Sequence, residues 1–205
     1  MSRGFIAILA ILALAFAVIT GLAVQKGVLG PARDQQTAAL GGPFHLVDQT
    51  GRPRDQHLLD GKWTAVFFGY TNCPDACPTT LFALGQTEKL LGPRAADFQT
   101  VFISVDPARD TPAQLAKYLS NDAFARHVTG LTGSEAQVAE AAKAYKVFFQ
   151  KAGQGADYTV NHSTFTYLMN PRGQFACVIA YDATPQQIAS QVQKAMAQGP
   201  GAQSC

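Results

Sequence analysis

The sequence has little excess of charge of either sign. Its 205 residues carry 16 Lys and Arg against 14 Asp and Glu, a formal net charge of +2, and both signs are scattered along the chain. A protein that binds a nucleic-acid backbone needs a concentrated basic patch. The sequence contains no such patch, so nucleic acid is excluded as a partner. An apolar content of 47% is typical of one ordinary globular domain with a short additional segment.

Charged residues are also missing from the N-terminal segment GFIAILAILALAFAVITGLAV, residues 4–24. As a helix this segment would be about 31 Å long, which matches the hydrocarbon core of a bilayer. We therefore expect residues 1–24 to form an uncleaved single-pass membrane anchor. The alternative is a cleaved signal peptide, although the apolar core of such a peptide spans only about 7–15 residues. No lipobox cysteine is present.

The predicted anchor indicates on which side of the membrane the rest of the chain lies. A signal-anchor with a short basic head, here Arg3, usually leaves the following domain on the non-cytoplasmic side. We expect the cell inner membrane, with the domain facing the periplasm or an equivalent compartment. Cysteines there meet an oxidising milieu.

Behind the anchor, the composition divides the chain into three parts. Residues 25–43 are rich in Gly, Ala and Gln and are interpreted as a linker. Residues 44–198 form the predicted domain, and residues 199–205 are interpreted as a flexible tail.

Strand and helix patterns alternate within the predicted domain. WTAVFFGY (63–70) and TVFISV (100–105) are continuous apolar runs typical of strands buried on both faces. TPAQ, SEAQ and TPQQ have the capping-box pattern of helix starts, and residues 164–181 predict a hairpin around an Asn-Pro-Arg-Gly turn. An extra strand or hairpin is expected within 146–163. The order of elements predicts an α/β fold with a thioredoxin-like mixed sheet flanked by helices.

Two cysteines lie in FFGYTNCPDACPTTLF, residues 67–82, after the first buried strand. Pro78 is expected at the first helical position and Cys77 at the N-cap. The N-terminus of a helix favours a thiolate, which serves a redox pair and a metal site equally. Three residues separate Cys73 from Cys77, one more than in a thioredoxin-type pair, and the wider spacing suits a metal ion without excluding a disulfide.

A third ligand is expected at His162, immediately before the hairpin strand. Thioredoxin-like folds usually have a cis-proline in this loop, which faces the cysteine helix, but the sequence has no proline between Gln150 and Met169. The alternative is a hydrogen-bonded loop histidine. His45 is expected to pack in the first strand, and His57 and His127 to lie on the surface.

The other two cysteines have no partner at a motif spacing. Cys177 alternates with apolar residues and is expected to be an inert core thiol. Cys205 is expected to be a free terminal thiol.

The sequence resembles the Sco/SenC family of copper-binding proteins, which assemble cytochrome c oxidase. The resemblance runs from GGPFHLVDQTG to the last helix, and GYTNCPDACPTTL, SVDPARDTPAQL and DYTVNHSTFTYLMNPRG are its most specific parts. It implies that Cys73, Cys77 and His162 are copper ligands. It also implies delivery of copper to the binuclear copper site of cytochrome c oxidase subunit II, with an upstream copper donor and a thiol reductant as further partners. Two thiolates and an imidazole suit Cu(I), but zinc accepts the same donors.

Several other residues are expected to lie near the cysteine motif or to support it. The resemblance suggests that Asp106 supports the site or contacts a partner, whereas its position before Pro107 is equally typical of a turn. Arg109 and Asp110 are expected to pair with each other. Tyr158 and Phe68 are expected to pack around the site.

Two enzymatic functions remain as alternatives to a copper chaperone. A thiol–disulfide oxidoreductase that reduces the copper-site cysteines of the oxidase would use Cys73 and Cys77 as its redox-active pair and would not need His162. A peroxidase of the peroxiredoxin type would need an arginine beside one cysteine, and the local sequence offers none.

Overall fold

The computed structural model describes residues 4, 13–14, 40–155 and 157–205. Residues Ala39–Cys205 form one compact unit. Most of the predicted anchor and most of the predicted linker lie outside the described residues. Among the residues that are described, none belongs to a helix with the length and apolarity needed to cross a membrane.

Nine strands and four α-helices make up the described domain. The strands are β1 (His45–Asp48), β2 (Pro53–Asp55), β3 (Trp63–Gly69), β4 (Phe98–Ser104), β5 (Val128–Thr132), β6 (Phe149–Ala152), β7 (Thr159–His162), β8 (Thr166–Met169) and β9 (Phe175–Ile179). The helices are α1 (Ala76–Leu91), α2 (Pro112–Leu119), α3 (Glu135–Ala144) and α4 (Pro185–Gln198).

Seven strands form one mixed sheet in the order β2-β1-β5-β4-β3-β8-β9. Strands β3, β4 and β5 are parallel, and antiparallel strands continue the sheet on both sides. In the part of the chain that the structure describes, strands β6 and β7 pair with each other in a separate two-stranded sheet. The predicted thioredoxin-like mixed sheet is confirmed, as is the extra hairpin.

Helices cover both faces of the central strands. In β3, Ala65 packs in the apolar cluster to which α1 and α4 contribute. The side chain of Phe68 packs on the opposite side, where its ring centroid lies 5.4 Å from that of Tyr145 behind α3. All seven residues of β3 are buried, and this two-sided burial explains the uninterrupted apolar run. Packing on both faces of β3 therefore fixes the end of this strand, where the cysteine motif begins.

The capping patterns in the sequence predicted the starts of three helices, and the predicted start of α1 needs a correction. Ser134 and Thr184 form complete capping boxes, and the Thr111 side chain accepts a hydrogen bond from the Gln114 N–H. Helix α1, however, begins at Ala76 with Asp75 at the N-cap, so Cys77 and Pro78 lie inside its first turn. Proline is tolerated there because the first N–H groups of a helix have no intrahelical partner.

His45 does not pack inward as expected. In β1, Leu46 and Asp48 are buried, whereas His45 is exposed. Side chains alternate between the faces of a strand, and the inward positions are already occupied by Leu46 and its neighbour Phe44.

The C-terminal segment is tied to the domain, which corrects two expectations. Cys177 in β9 and Cys205 form a disulfide, with their Cα atoms 6.0 Å apart. The Asn170 side-chain amide donates to the Ala202 carbonyl at 3.1 Å, and the Lys194 ammonium donates to the Cys205 carbonyl at 3.2 Å. The cysteines are therefore not free thiols, and residues 199–205 are held against the sheet instead of forming a flexible tail.

Candidate metal centre

The cysteine motif begins where β3 ends. The Cys73 N–H donates to the Tyr70 carbonyl at 3.2 Å, which closes a turn between β3 and α1. Cys73 is half-buried in this turn, and Cys77 is fully buried in the first turn of the helix. The Cys77 N–H donates to Cys73 Sγ at 3.4 Å. A backbone donor of the helix start therefore points at the first sulfur, as expected for a site that stabilises a thiolate.

Gly69 makes room for the second sulfur. A Cβ atom at this position would lie 2.6 Å from Cys77 Sγ and 2.8 Å from Cε2 of Phe102. Real Cβ atoms do not approach other atoms this closely. The last residue of β3 must therefore be glycine for Cys77 to lie against the strand.

His162 reaches the cysteines from the β6–β7 hairpin. Its Nδ1 lies 2.9 Å from the Ser163 carbonyl oxygen. Because a carbonyl only accepts, Nδ1 must carry the proton, and this leaves the Nε2 lone pair available to a metal ion. The imidazole also makes an edge contact with the Tyr70 ring, with centroids 5.8 Å apart. The ring is therefore fixed in tautomer and in orientation.

The three side chains converge on one point. Cys77 Sγ lies 3.7 Å from His162 Nε2, and the donor atoms of Cys73, Cys77 and His162 all lie within 4.8 Å of one another. A first-row metal ion holds sulfur at about 2.3 Å and imidazole nitrogen at about 2.0 Å, so three donors around it are separated by about 3.7–4.0 Å. The donor set fits one metal ion with small adjustments.

The two sulfurs differ in their proton affinity. The hydrogen bond from Cys77 and the N–H groups of Cys77 and Asp75 lower the pKa of Cys73 to about 5, although desolvation opposes this shift. The same thiol–thiolate hydrogen bond, together with burial, raises the pKa of Cys77. Cys73 is therefore the thiolate of the pair at neutral pH, and Cys77 supplies the proton that both sulfurs share.

The buried carboxylate of Asp110 accepts hydrogen bonds from residues next to the cysteine turn, a role that the sequence did not predict. Asp110 accepts hydrogen bonds from the Thr71 hydroxyl at 2.6 Å, the Thr71 N–H at 3.1 Å and the Ser104 hydroxyl at 2.6 Å. Burial raises the pKa of Asp110. The expected pairing of Arg109 with Asp110 is wrong, because the turn after β4 directs these neighbouring side chains to different partners.

Arg109 pairs with Asp106 instead. Its Nε donates to Asp106 Oδ2 at 2.5 Å, and the Tyr158 hydroxyl donates to Oδ1 of the same carboxylate at 2.5 Å. Asp106 thus connects the β4–α2 turn to the hairpin that carries His162.

Tyr158 and Phe68 are both buried, but Phe68 packs against Tyr145. It is the neighbouring Phe67 whose ring makes an edge contact with the His162 imidazole, with centroids 6.3 Å apart.

The matches with known proteins cover almost all of the described domain. The family model described as SCO1/SenC matches residues 32–197. The chain belongs to this family. The resemblance stated from the sequence motifs is thereby confirmed.

One relative in the SCO1/SenC family is Protein SCO1, mitochondrial, of Saccharomyces cerevisiae. It is 45% identical over 141 residues, which are 67% of this chain and 47% of the yeast protein. The chain therefore spans about half the length of that relative.

Solved structures of the family are similar as well. Bradyrhizobium japonicum ScoI with copper bound has a TM-score of 0.70 at 41% identity, covering 76% of this chain and 99% of that one. BsSco, described as a member of the Sco family of cytochrome c oxidase assembly proteins with a disulfide switch, has a TM-score of 0.61 at 28% identity, covering 76% and 92%.

The remaining histidines of this SCO1/SenC member lie in other surroundings. His57 Nδ1 lies 2.8 Å from Asp60 Oδ2 on the surface. His127 pairs with the buried Glu88 at 2.6 Å and is about half exposed. Within the described residues, the cluster of side chains that could hold a metal ion is the one formed by Cys73, Cys77 and His162.

Proposed function

We propose that this chain is a copper metallochaperone that holds one copper ion through Cys73 Sγ, Cys77 Sγ and His162 Nε2. The convergence of two sulfurs and an imidazole within 4.8 Å is the observation that carries the proposal. Two thiolates and an imidazole form a soft, low-coordinate donor set suited to Cu(I). Zinc accepts the same set, and the copper-bound ScoI structure favours copper.

The arrangement is suited to a cargo that must leave again. Cys73 and His162 are half-buried, whereas Cys77 is fully buried, so two of the three ligands can be reached by donors of another protein. Loading must displace the proton of Cys77, because only a thiolate binds the metal. Uptake should therefore release protons and become weaker as the pH falls.

The proposed recipient is the binuclear copper site of cytochrome c oxidase subunit II. Support comes from BsSco, which is described as belonging to a family of cytochrome c oxidase assembly proteins, and from the family membership of this chain. An upstream copper donor and a thiol reductant would complete the route, since the ion must be supplied and the two sulfurs must be reduced before they bind it.

We further propose that residues 1–24 anchor the domain, residues 44–198, to the cell inner membrane through a linker of residues 25–43, with the domain on the non-cytoplasmic side. The uncharged run of residues 4–24 supports the anchor. The Cys177–Cys205 disulfide independently supports an oxidising compartment, because such bonds persist outside the reducing cytosol.

A thiol–disulfide oxidoreductase is the second candidate, and the same thiol pair favours it. Cys73 carries a lowered pKa of about 5 and lies against Cys77, which is the arrangement of a nucleophilic and a resolving cysteine. This function would reduce the copper-site cysteines of the oxidase. It gives no role to His162, so the histidine separates the two candidates.

Copper titration of the purified, detergent-solubilised full chain with reduced thiols tests the proposal. The wild-type chain should bind one copper ion. His162→Ala should weaken binding by at least about 10–100-fold, the loss seen when even a supporting partner of a ligand is removed. His57→Ala is the matched control and should bind as the wild type does, because His57 is exposed and paired with Asp60. Equal affinity of the His162→Ala and wild-type chains would contradict the proposed ligand set.

A further inference from the structure

The hairpin that carries His162 is not a part of the main sheet. Strands β6 and β7, each of four residues, pair with each other, whereas Cys73 and Cys77 follow β3 at the centre of the seven-stranded sheet. The position of the third ligand relative to the two sulfurs therefore depends on contacts that fasten the hairpin to the rest of the domain.

Tyr158, directly before β7, makes polar contacts that connect the hairpin to the β4–α2 turn. It is 8% exposed, and its hydroxyl donates to Oδ1 of the buried Asp106. Its ring lies between two cations, with Arg109 Cζ and Lys151 Nζ each 3.6 Å from the ring centroid. The hydrogen bond of the buried hydroxyl and the cation–π contact with the partly buried Arg109 are each expected to resist separation.

Arg109 contacts residues on both sides of this junction. Its Nε donates to Asp106 on its own turn, and its Nη1 donates to the Tyr158 carbonyl at 2.9 Å. The guanidinium also lies 5.8 Å from the centroid of the Tyr70 ring. Tyr70 is the residue whose carbonyl receives the Cys73 N–H and whose ring contacts the His162 imidazole. One guanidinium thus touches both the cysteine side and the histidine side of the site.

We infer that Asp106, Arg109 and Tyr158 form a clamp that positions His162 against the two cysteines and thereby sets the affinity for copper. This inference rests on the proposed copper-binding function and concerns how its third ligand is held. The three residues touch no metal ion, so they are positioning residues. Their contacts link the β4–α2 turn to Tyr158, which directly precedes β7 and lies four residues before His162.

The planar guanidinium explains why arginine is needed at position 109. An arginine can donate to a carboxylate and a carbonyl at the same time and can lie flat on an aromatic ring. A lysine would keep the charge beside Asp106 but would have to give up the Tyr158 carbonyl or the ring contact. Arg109→Lys should therefore loosen the hairpin while leaving Asp106 with a cation.

Copper affinity of the full chain tests the clamp with two mild variants. Arg109→Lys and Tyr158→Phe each remove a part of it, and the phenylalanine keeps the ring between the two cations. Each should weaken copper binding by about 10–100-fold, as losses of supporting partners do, with unchanged folding in circular dichroism. Arg54→Lys is the matched control, because Arg54 forms the same kind of pair with the buried Asp48 at 2.7 Å. It should bind copper as the wild type does.

A double-mutant cycle distinguishes positioning of His162 from a general loss of structure. If the clamp acts through the imidazole, Arg109→Lys should have almost no further effect in a His162→Ala chain, because the group it positions is absent. The nitrogen hyperfine signal of the Cu(II)-loaded chain should also weaken in Arg109→Lys and persist in Arg54→Lys.

Two results would overturn the inference. One is copper binding by Arg109→Lys and Tyr158→Phe with wild-type affinity. The other is an equally large effect of Arg109→Lys with and without His162. Failure of the wild-type chain itself to bind copper would instead refute the proposed function, so the two failures are distinguishable.

Discussion

Gly69→Ala offers a test of the site that changes no ligand and no charge. Gly69 is the last residue of β3, and its missing side chain leaves the space that Cys77 Sγ occupies. The added Cβ would lie 2.6 Å from this sulfur, 2.8 Å from Phe102 Cε2 and 3.2 Å from Phe67 Cε1. Ordinary contacts between such atoms are about 3.5–4.0 Å, so the sulfur would have to retreat by about 1 Å.

The expected effect on stability follows from this overpacking. Extra methyl groups in a well-packed core typically cost about 1–3 kcal/mol. For a chain of this size, each kcal/mol lowers the unfolding temperature by about 2–4 °C. We therefore expect Gly69→Ala to lower the Tm by roughly 2–12 °C and to weaken copper binding, because Cys77 can no longer lie in register with His162.

Thermal unfolding and copper titration of the same preparation measure both effects. Gly42→Ala is the control, since its Cβ would meet only Ala144 Cβ, at an ordinary 3.5 Å. A Gly69→Ala chain with the Tm and copper affinity of the Gly42→Ala chain would show that Cys77 does not lie against β3, and the described site would be wrong.

Three further predictions concern the cysteines. The rate of alkylation of Cys73 should follow a pKa of about 5, so that alkylation persists in mild acid. Cys77→Ala should move the pH midpoint of alkylation upward, because the principal hydrogen bond to the Cys73 thiolate is lost. An unchanged midpoint would show that this hydrogen bond does not lower the pKa. Oxidation of Cys73 and Cys77 to a disulfide should abolish Cu(I) uptake, since a disulfide offers no thiolate, and undiminished uptake after verified oxidation would place the metal elsewhere. Cys205→Ser should lower the free energy of unfolding by about 3.5 kcal/mol, the chain-entropy value for a loop closed across a separation of 28 residues, without changing copper affinity. Denaturant unfolding measures this, and Cys177→Ser should have the same effect. Equal stability of the wild-type chain and both variants would show that the disulfide does not form.

The sequence predicted those features of the fold that are encoded locally. The capping boxes at Ser134 and Thr184 start their helices as expected, because the interacting groups are three residues apart. Strand β5 was not predicted, since Gly130 interrupts its short apolar pattern. The structure explains this glycine, because a Cβ there would lie 2.5 Å from Leu119 Cδ1.

Features that depend on distant contacts could not be predicted in the same way. The Cys177–Cys205 pairing joins the edge strand to a polar tail whose sequence carries no packing signal. The neighbours Arg109 and Asp110 have opposite charges and suggest a pair, but Asp110 turns inward to Thr71 and Ser104. Which of two adjacent side chains faces the core is set by the tertiary path of the turn.

The candidate site lay between these two cases. Cys73 and Cys77 were evident from their spacing, whereas His162 was assigned from the fold expected around it. The structure brings its Nε2 to 3.7 Å from Cys77 Sγ. The clamp formed by Asp106, Arg109 and Tyr158 joins segments about 50 residues apart, and only the structure shows it.

The central claim is that copper delivery, and not thiol exchange alone, is the function of the site. The most direct measurement is the cytochrome c oxidase activity of cells in which His162→Ala, Cys73→Ser or the control His57→Ala replaces the wild-type chain, with equal protein levels. A chaperone requires all three ligands, so His162→Ala should lower oxidase activity nearly as far as Cys73→Ser does, and added copper should restore part of it. His57→Ala should have no effect. Normal oxidase activity with His162→Ala beside a defect with Cys73→Ser would contradict the chaperone and favour the oxidoreductase.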